Sequence, residues 1–176
     1  MAEAEHRDGE VRGAVARAHP PLFAGRYAGK IDAKGRVILP APFRQKLSGE
    51  VYVFPSLTEP VVQIGDEALH DLVLRAVKGL EAVDSLDRRL TALENYVLHR
   101  LQAVGVDDAG RVILPADLRA HGRLDGALAF AGRGQHFILA SAAYLDQHDA
   151  EAEALGAEFT ETLAALMRPT LRGGGA

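Results

Sequence analysis

Cysteine is absent from the 176 residues. Disulfide scaffolds and thiolate metal sites are thereby excluded, and the absence suits a reducing cytoplasm. No apolar run approaches the roughly 18 residues that a membrane helix needs. The first twenty residues hold seven charges (Glu3, Glu5, Arg7, Asp8, Glu10, Arg12, Arg17) and no apolar stretch, so they do not read as a secretory signal. The seven histidines are scattered, with no H-x-x-x-H or His-carboxylate grouping, and no metal or other cofactor is expected. The serines sit in no G-x-S-x-G context. Gly132-x-Gly134 lacks the third glycine and following helix of a dinucleotide loop, and reads as a turn. No paired acid and base stands out, so the chain is read as a non-enzyme. The Tyr and Phe residues mostly fall on alternating strand or core positions, and no platform for stacking single-stranded bases is evident.

What the chain has is a core, an uneven charge and a repeat. Hydrophobic residues make up 48% of the composition, and a chain of this length can bury roughly 70% of its unfolded surface. The net charge is −4, which argues against a generic nucleic-acid coat. Its distribution says more than its sum. From Leu22 to Lys46, Arg26, Lys30, Lys34, Arg36, Arg44 and Lys46 face only Asp32. From Ser141 onward, Asp146, Asp149, Glu151, Glu153, Glu158 and Glu161 face only Arg168 and Arg172. The basic segment is either a face for an anion or uneven surface charge without a partner.

Residues 31–44 read IDAKGRVILPAPFR and residues 106–119 read VDDAGRVILPADLR, an offset of 75. Nine of the fourteen positions are identical, among them Asp32/Asp107, Gly35/Gly110, Arg36/Arg111, Pro40/Pro115 and Arg44/Arg119. The protein is therefore a duplicated unit. Each copy has the same local grammar. A β-branched residue ends a strand, and Asp opens a turn by capping backbone N–H groups two residues on. Gly35 or Gly110 supplies a positive φ without steric cost. Arg-Val-Ile-Leu then forms the second strand of a hairpin. Pro40 or Pro115, lacking an N–H, stops it, and short helices follow at Ala41–Leu47 and Ala116–His121.

Downstream, Val51–Phe54 and Val61–Ile64 are strands of the first copy. Ala127–Ala131 and His136–Ala140 flank a turn in the second. Short strands around a small core predict a compact β-barrel with little helix. Amphipathic helices are expected at Asp66–Val77 (Leu69, Leu72, Val73, Ala76) and Leu86–Leu98 (Leu86, Leu90, Leu93, Val97). Ala142–Met167 is a third, with Leu155, Phe159, Leu163 and Leu166 on one side and Gly156 as a weak point that could divide it. The chain thus divides into a disordered arm (1–22), a first repeat with its connecting helices (23–100), a second repeat (101–145), and a C-terminal helix with a flexible tail (146–176).

Phe23-x-Gly25, then Ile31-Asp32-x-Lys34-Gly35-Arg36, the strand, Pro40 and Phe43-Arg44 resemble the start of MraZ proteins, regulators of the bacterial division and cell-wall gene cluster. The second Asp107-x-x-Gly110-Arg111 and the late Gly-x-Gly hairpin match as well. The likeness covers roughly residues 23 to 145. It implies an α+β fold of the AbrB-like class, a duplicated swapped-hairpin barrel with flanking helices. It also implies a ring-like homo-oligomer in the cytoplasm, at the nucleoid, binding double-stranded promoter DNA at short direct repeats. The family's D-x-x-x-R motifs, implicated in DNA contact, correspond here to Asp32 with Arg36 and Asp107 with Arg111. Residues 1–22 are extra to the family pattern, and Ala109 stands where the first copy has Lys34.

The candidate DNA-binding residues are Asp32, Lys34, Gly35, Arg36, Asp107, Gly110, Arg111, Arg44 and Lys30. Arginine can clamp phosphate or read guanine O6 and N7 through two hydrogen bonds, and lysine acts as a point charge on phosphate. Each has a plainer reading. Arg36 and Arg111 could simply pair with Asp32 and Asp107 across the turn, and Arg44 and Arg119 could sit on solvated helix faces. Two other functional classes stand beside DNA binding. One is an antitoxin-like module whose acidic 142–167 helix masks a protein partner. The other is an enzyme, for which fold alone is no argument.

Overall fold

The computed structural model describes residues 22–47, 49–81 and 88–167. The expected N-terminal arm before Leu22, the Leu86 end of the second helix and the glycine-rich tail lie outside them. The described chain runs β1 (Arg26–Lys30), β2 (Arg36–Ile38), α1 (Ala41–Arg44), β3 (Glu50–Pro55), β4 (Val62–Gly65), α2 (Glu67–Glu81) and α3 (Arg88–Leu98). The second half repeats the plan with β5 (Gln102–Gly105), β6 (Arg111–Ile113), α4 (Ala116–His121), β7 (Ala127–Gly132), β8 (Phe137–Ser141) and α5 (Ala142–Met167).

Six strands form one antiparallel sheet in the order β1-β7-β8-β4-β3-β5, and β2 and β6 form a separate two-stranded ladder. The architecture is α+β, but the barrel expected from sequence is not closed. β1 and β5 are the two ends of the sheet and do not pair with each other. Each leaves the sheet at a tight turn and hands the chain to the ladder.

Strands of the two repeats interleave. β1 of the first repeat pairs with β7 of the second, from Arg26↔Ala131 to Lys30↔Ala127. β5 of the second pairs with β3 of the first, from Glu50↔Gly105 to Val53↔Gln102. Exchanging the labels of the two repeats returns the same sheet order, so a pseudo-two-fold axis relates them. The axis passes through the ladder, where Val37 lies opposite its own equivalent, Val112.

β2 departs from expectation here. It is not the full second strand of a hairpin with β1; the backbone contact across the turn is the Ile31↔Val37 bridge with the Asp32 N–H to Arg36 carbonyl bond of 3.1 Å. Three residues before a proline leave too short a strand for a long ladder, and β1 is already bonded to β7. β2 takes β6 instead, and Leu39 N to Gly110 O and Leu114 N to Gly35 O, each 2.9 Å, extend that ladder at both ends.

The main core draws on both repeats. Val37, Leu39, Phe43, Val53 and Ile64 pack with Val112, Leu114, Leu118, Leu128, Phe130 and Phe137. Fully burying side chains of this kind stabilises by about 1.5–3 kcal/mol each, so neither half retains its core alone. α2 docks on the sheet through Leu69, Val73 and Val77, with Phe54 and Val97. The buried line is spaced by four, so Leu72, placed on the stripe by the sequence reading, is 38% exposed. α3 buries Val97 but leaves Leu93 at the surface.

α5 is one continuous helix. Gly156 does not divide it, and Thr160 Oγ1 donates to the Gly156 carbonyl at 2.8 Å. Its first turns pack through Leu145 against Ala140, Ile138 and Val61. Leu155, Phe159 and Leu166 stand 64–78% exposed, so the apolar stripe read from sequence is not covered by the described residues.

Candidate nucleic-acid interface

The two D-x-x-G-R tips have the same geometry. Asp32 Oδ1 accepts from the Lys34 and Arg36 backbone N–H groups, both at 2.9 Å. Its Oδ2 accepts from Arg36 Nε at 2.6 Å. Asp107 Oδ1 accepts from the Ala109 and Arg111 N–H groups at 3.0 and 2.8 Å, and Oδ2 from Arg111 Nε at 2.7 Å. Gly35 and Gly110 take φ of +79° and +76°, the left-handed turn position that a side chain would strain. The backbone hydrogen bonds, and after them the guanidinium, hold both carboxyls below the ordinary aspartate value.

The plainer reading of Arg36 and Arg111, an ion pair across the turn, is thus correct for Nε. The pair uses one edge of each guanidinium. Among the described residues the terminal Nη1 and Nη2 atoms of both arginines make no hydrogen bond, and the side chains are 39% and 42% exposed. Each arginine is held in direction by its aspartate and presents its fork outward. Two parallel N–H donors of this kind match a phosphate or a guanine edge.

The ladder brings the two tips together. In β2, Val37 points into the core while Arg36 and Ile38 point out; in β6, Val112 points in while Arg111 and Ile113 point out. Arg36 lies opposite Ile113, and Ile38 opposite Arg111. Arg36, Asp107, Arg111 and Ile113 share a cleft of about 400 Å³ with Val104 and Gly105. A second cleft of about 510 Å³ lies between the end of β1 and the ladder, lined by Lys30, Ile38 and Arg44 among others. Lys30 and Lys34 are exposed at the first tip. At the second tip their equivalents are Gly105 and Ala109, and Asp108 stands for Ala33.

Arg44 is exposed and Arg119 half-buried, and both make contacts beyond their own helices. Each reaches across the pseudo-two-fold to brace the other repeat's turn. Arg44 Nη1 donates to the Ala109 carbonyl at 3.1 Å and lies over Gly110. Arg119 lies over Gly35, where an added Cβ would come within 2.9 Å of its Nε. Arg119 stands outside the candidate residues read from the sequence, although its identity with Arg44 at the 75-residue offset signals it.

Sequence reasoning also missed the outward isoleucines, 61% and 62% exposed, because a Val-Ile-Leu run does not say which side chain faces out. It missed a second polar cluster as well. Arg133 donates to both Glu59 oxygens at 2.5 and 2.7 Å, and Tyr144 Oη donates to Glu59 at 3.1 Å. These bonds tie the β3–β4 turn to the β7–β8 turn and to α5. On the edge strand β1, Arg26 pairs with Asp146 and Asp149 of α5 at 2.5 and 2.6 Å.

Comparison with known proteins decides the family. A "Transcriptional regulator MraZ" of Caulobacter vibrioides is 30% identical over 158 residues, covering 88% of this chain and 99% of its own. Another of that name, from Xanthobacter autotrophicus, is 31% identical over 134 residues, 74% of this chain and 83% of its own. The chain belongs to the MraZ family. The MraZ family model, described as "MraZ protein, putative antitoxin-like", matches residues 22–62, from the start of the described chain through the first tip and β3. A further MraZ relative, from Hyphomonas neptunium, is 34% identical over 119 residues, 66% of this chain and 70% of its own. No described helix is long and apolar enough to cross a membrane.

Proposed function

We propose that this chain is a sequence-specific DNA-binding transcriptional regulator that engages promoter direct repeats through its two D-x-x-G-R tips. One observation carries the reading: two arginines, each steered by an aspartate through Nε alone, present open forks on the same outward face of one ladder. A fork so held has lost little further rotamer freedom when it binds, which favours planar, bidentate recognition. The relatives' shared name supports regulation at the family level. The repeats, 23–100 and 101–145, act as a single reading unit because the ladder contains a strand from each. Copies of the chain assemble into a ring-like homo-oligomer at the nucleoid, with successive tips on successive DNA repeats.

Footprinting of the purified chain on the DNA upstream of its own gene tests this. Protection of short repeats, lost in Arg36→Ala, is expected. No protection at low salt, or protection unchanged by Arg36→Ala, overturns it.

A second reading has its own observation. The uncovered apolar side of α5 (Leu155, Phe159, Leu166) suits an antitoxin-like contact with a protein partner. A single stoichiometric partner retained by the wild type and lost in Phe159→Asp, with no DNA retained, would favour it.

A further inference from the structure

We infer that Ile38 and Ile113 are specificity-determining contacts that read thymine C5-methyl groups in the major groove beside the two arginines. The inference rests on the DNA-binding reading above and goes beyond its arginine tips.

The argument starts from exposure. Among the described residues of the two β strands, Ile38 and Ile113 are the large apolar side chains that stand in solvent, at 61% and 62%. They are pseudo-two-fold equivalents, and each lies directly opposite an arginine on the paired strand. Cross-strand neighbours are about 5 Å apart and diagonal ones about 7–8 Å. Arg36, Ile113, Ile38 and Arg111 therefore make a small patch in which guanidinium and methyl groups alternate. Residues two apart on one strand are separated by about 6.8 Å, close to two base-pair steps of about 3.4 Å each. A two-stranded ribbon fits a B-DNA major groove about 12 Å wide.

The chemistry of the groove matches the patch. Guanine offers O6 and N7 to an arginine fork, and thymine offers a methyl to an apolar side chain. A second protein surface is a poorer occupant. Covering the isoleucines with protein would also bury two guanidinium groups whose terminal nitrogens have no acceptor among the described residues, which is costly unless each is paired. Base edges and phosphates supply those acceptors.

The test uses the full-length chain and a duplex that the wild type selects from a random pool. Each thymine is replaced singly by deoxyuridine, which removes only the methyl. Loss of one buried methyl group corresponds to about a four-fold weaker affinity. We expect such a loss at one or two thymines in the wild type, and no further loss at those positions in Ile38→Ala or Ile113→Ala. Both positions are exposed, so these variants should fold; light scattering checks that their assembly mass is unchanged. A wild type that holds the selected duplex but is indifferent to every deoxyuridine overturns the inference and leaves the DNA-binding reading standing. Variants that bind the duplex as tightly as wild type do the same. A changed assembly mass in either variant would make the patch a contact between copies, and also overturns the inference. Failure of the wild type to select any duplex removes the underlying reading itself.

Discussion

At the scale of single residues, the two tips share a geometry but not an electrostatic setting. Lys30 and Lys34 flank Arg36, whereas Gly105 and Ala109 take their places around Arg111, next to Asp108. DNA affinity falls by about 0.9 log units per decade of salt for each phosphate neutralised. Lys34→Ala should therefore weaken all sequences alike and flatten the salt slope by about one per engaged subunit. Arg36→Ala should abolish specific binding, and Arg111→Ala should cost less. Binding isotherms at three salt concentrations on folded, correctly assembled variants check this, and equal losses from the two arginines would refute the asymmetry. Gly35→Ala tests the turn itself. A side chain at φ +79° costs about 1–2 kcal/mol, and its Cβ would displace Arg119. Denaturant melts should show that loss, and Gly49→Ala, also at positive φ but with open space around it, should lose less. The Asp–Gly–Arg grammar was legible because each step is local. The roles of Arg44 and Arg119 were not, since the groups they brace lie in the other repeat.

At the scale of elements, the strand and helix positions were legible to within a few residues, since alternation and proline stops act along the chain. Partners were a different matter. Nothing in Arg36–Leu39 distinguishes a hairpin with β1 from a ladder with β6. The attachment of α5 was equally hidden, because Glu59, Arg133 and Tyr144 are brought together from three segments. Glu59 is held below the ordinary glutamate value, first by Arg133's hydrogen bonds. Glu59→Ala strands the half-buried Arg133 and removes Tyr144's acceptor. It should cost about 1–3 kcal/mol, read as a melting temperature lower by several degrees. Arg133→Ala in the Glu59→Ala background should add little, because the two share one interaction. Additive losses would show that the cluster is not coupled.

At the scale of the whole molecule, stability should decline as the solution is acidified from neutrality. Burial, then the charge of Arg133, pushes His136 below its ordinary value of 6.5. The fold therefore favours the neutral ring. Its contribution is complete above pH 6.5 and is lost as pH falls through the lowered folded value. Glu59, also lowered, adds a second loss below its ordinary 4.5. Melting temperatures measured between pH 7.5 and 5 should fall in the wild type and fall less in His136→Leu. Parallel slopes would assign the acid sensitivity elsewhere. Assembly belongs to this scale too. A ring-like homo-oligomer larger than a dimer is expected by light scattering, and a monomer at micromolar concentration would count against it.

The sequence by itself determined the duplication, the turn chemistry of each tip, the ends of the short strands and the resemblance to MraZ proteins. All of these are written in residues a few positions apart, or in two copies that can be laid side by side. Tertiary structure alone decided that the repeats interleave in one open sheet, that β2 and β6 pair on the pseudo-two-fold, and that Ile38 and Ile113 share an outward face with the arginines. The physical reason is that a three-residue strand has too few backbone hydrogen bonds to select its own partner. The shared core, buried only when both repeats are in place, makes that choice.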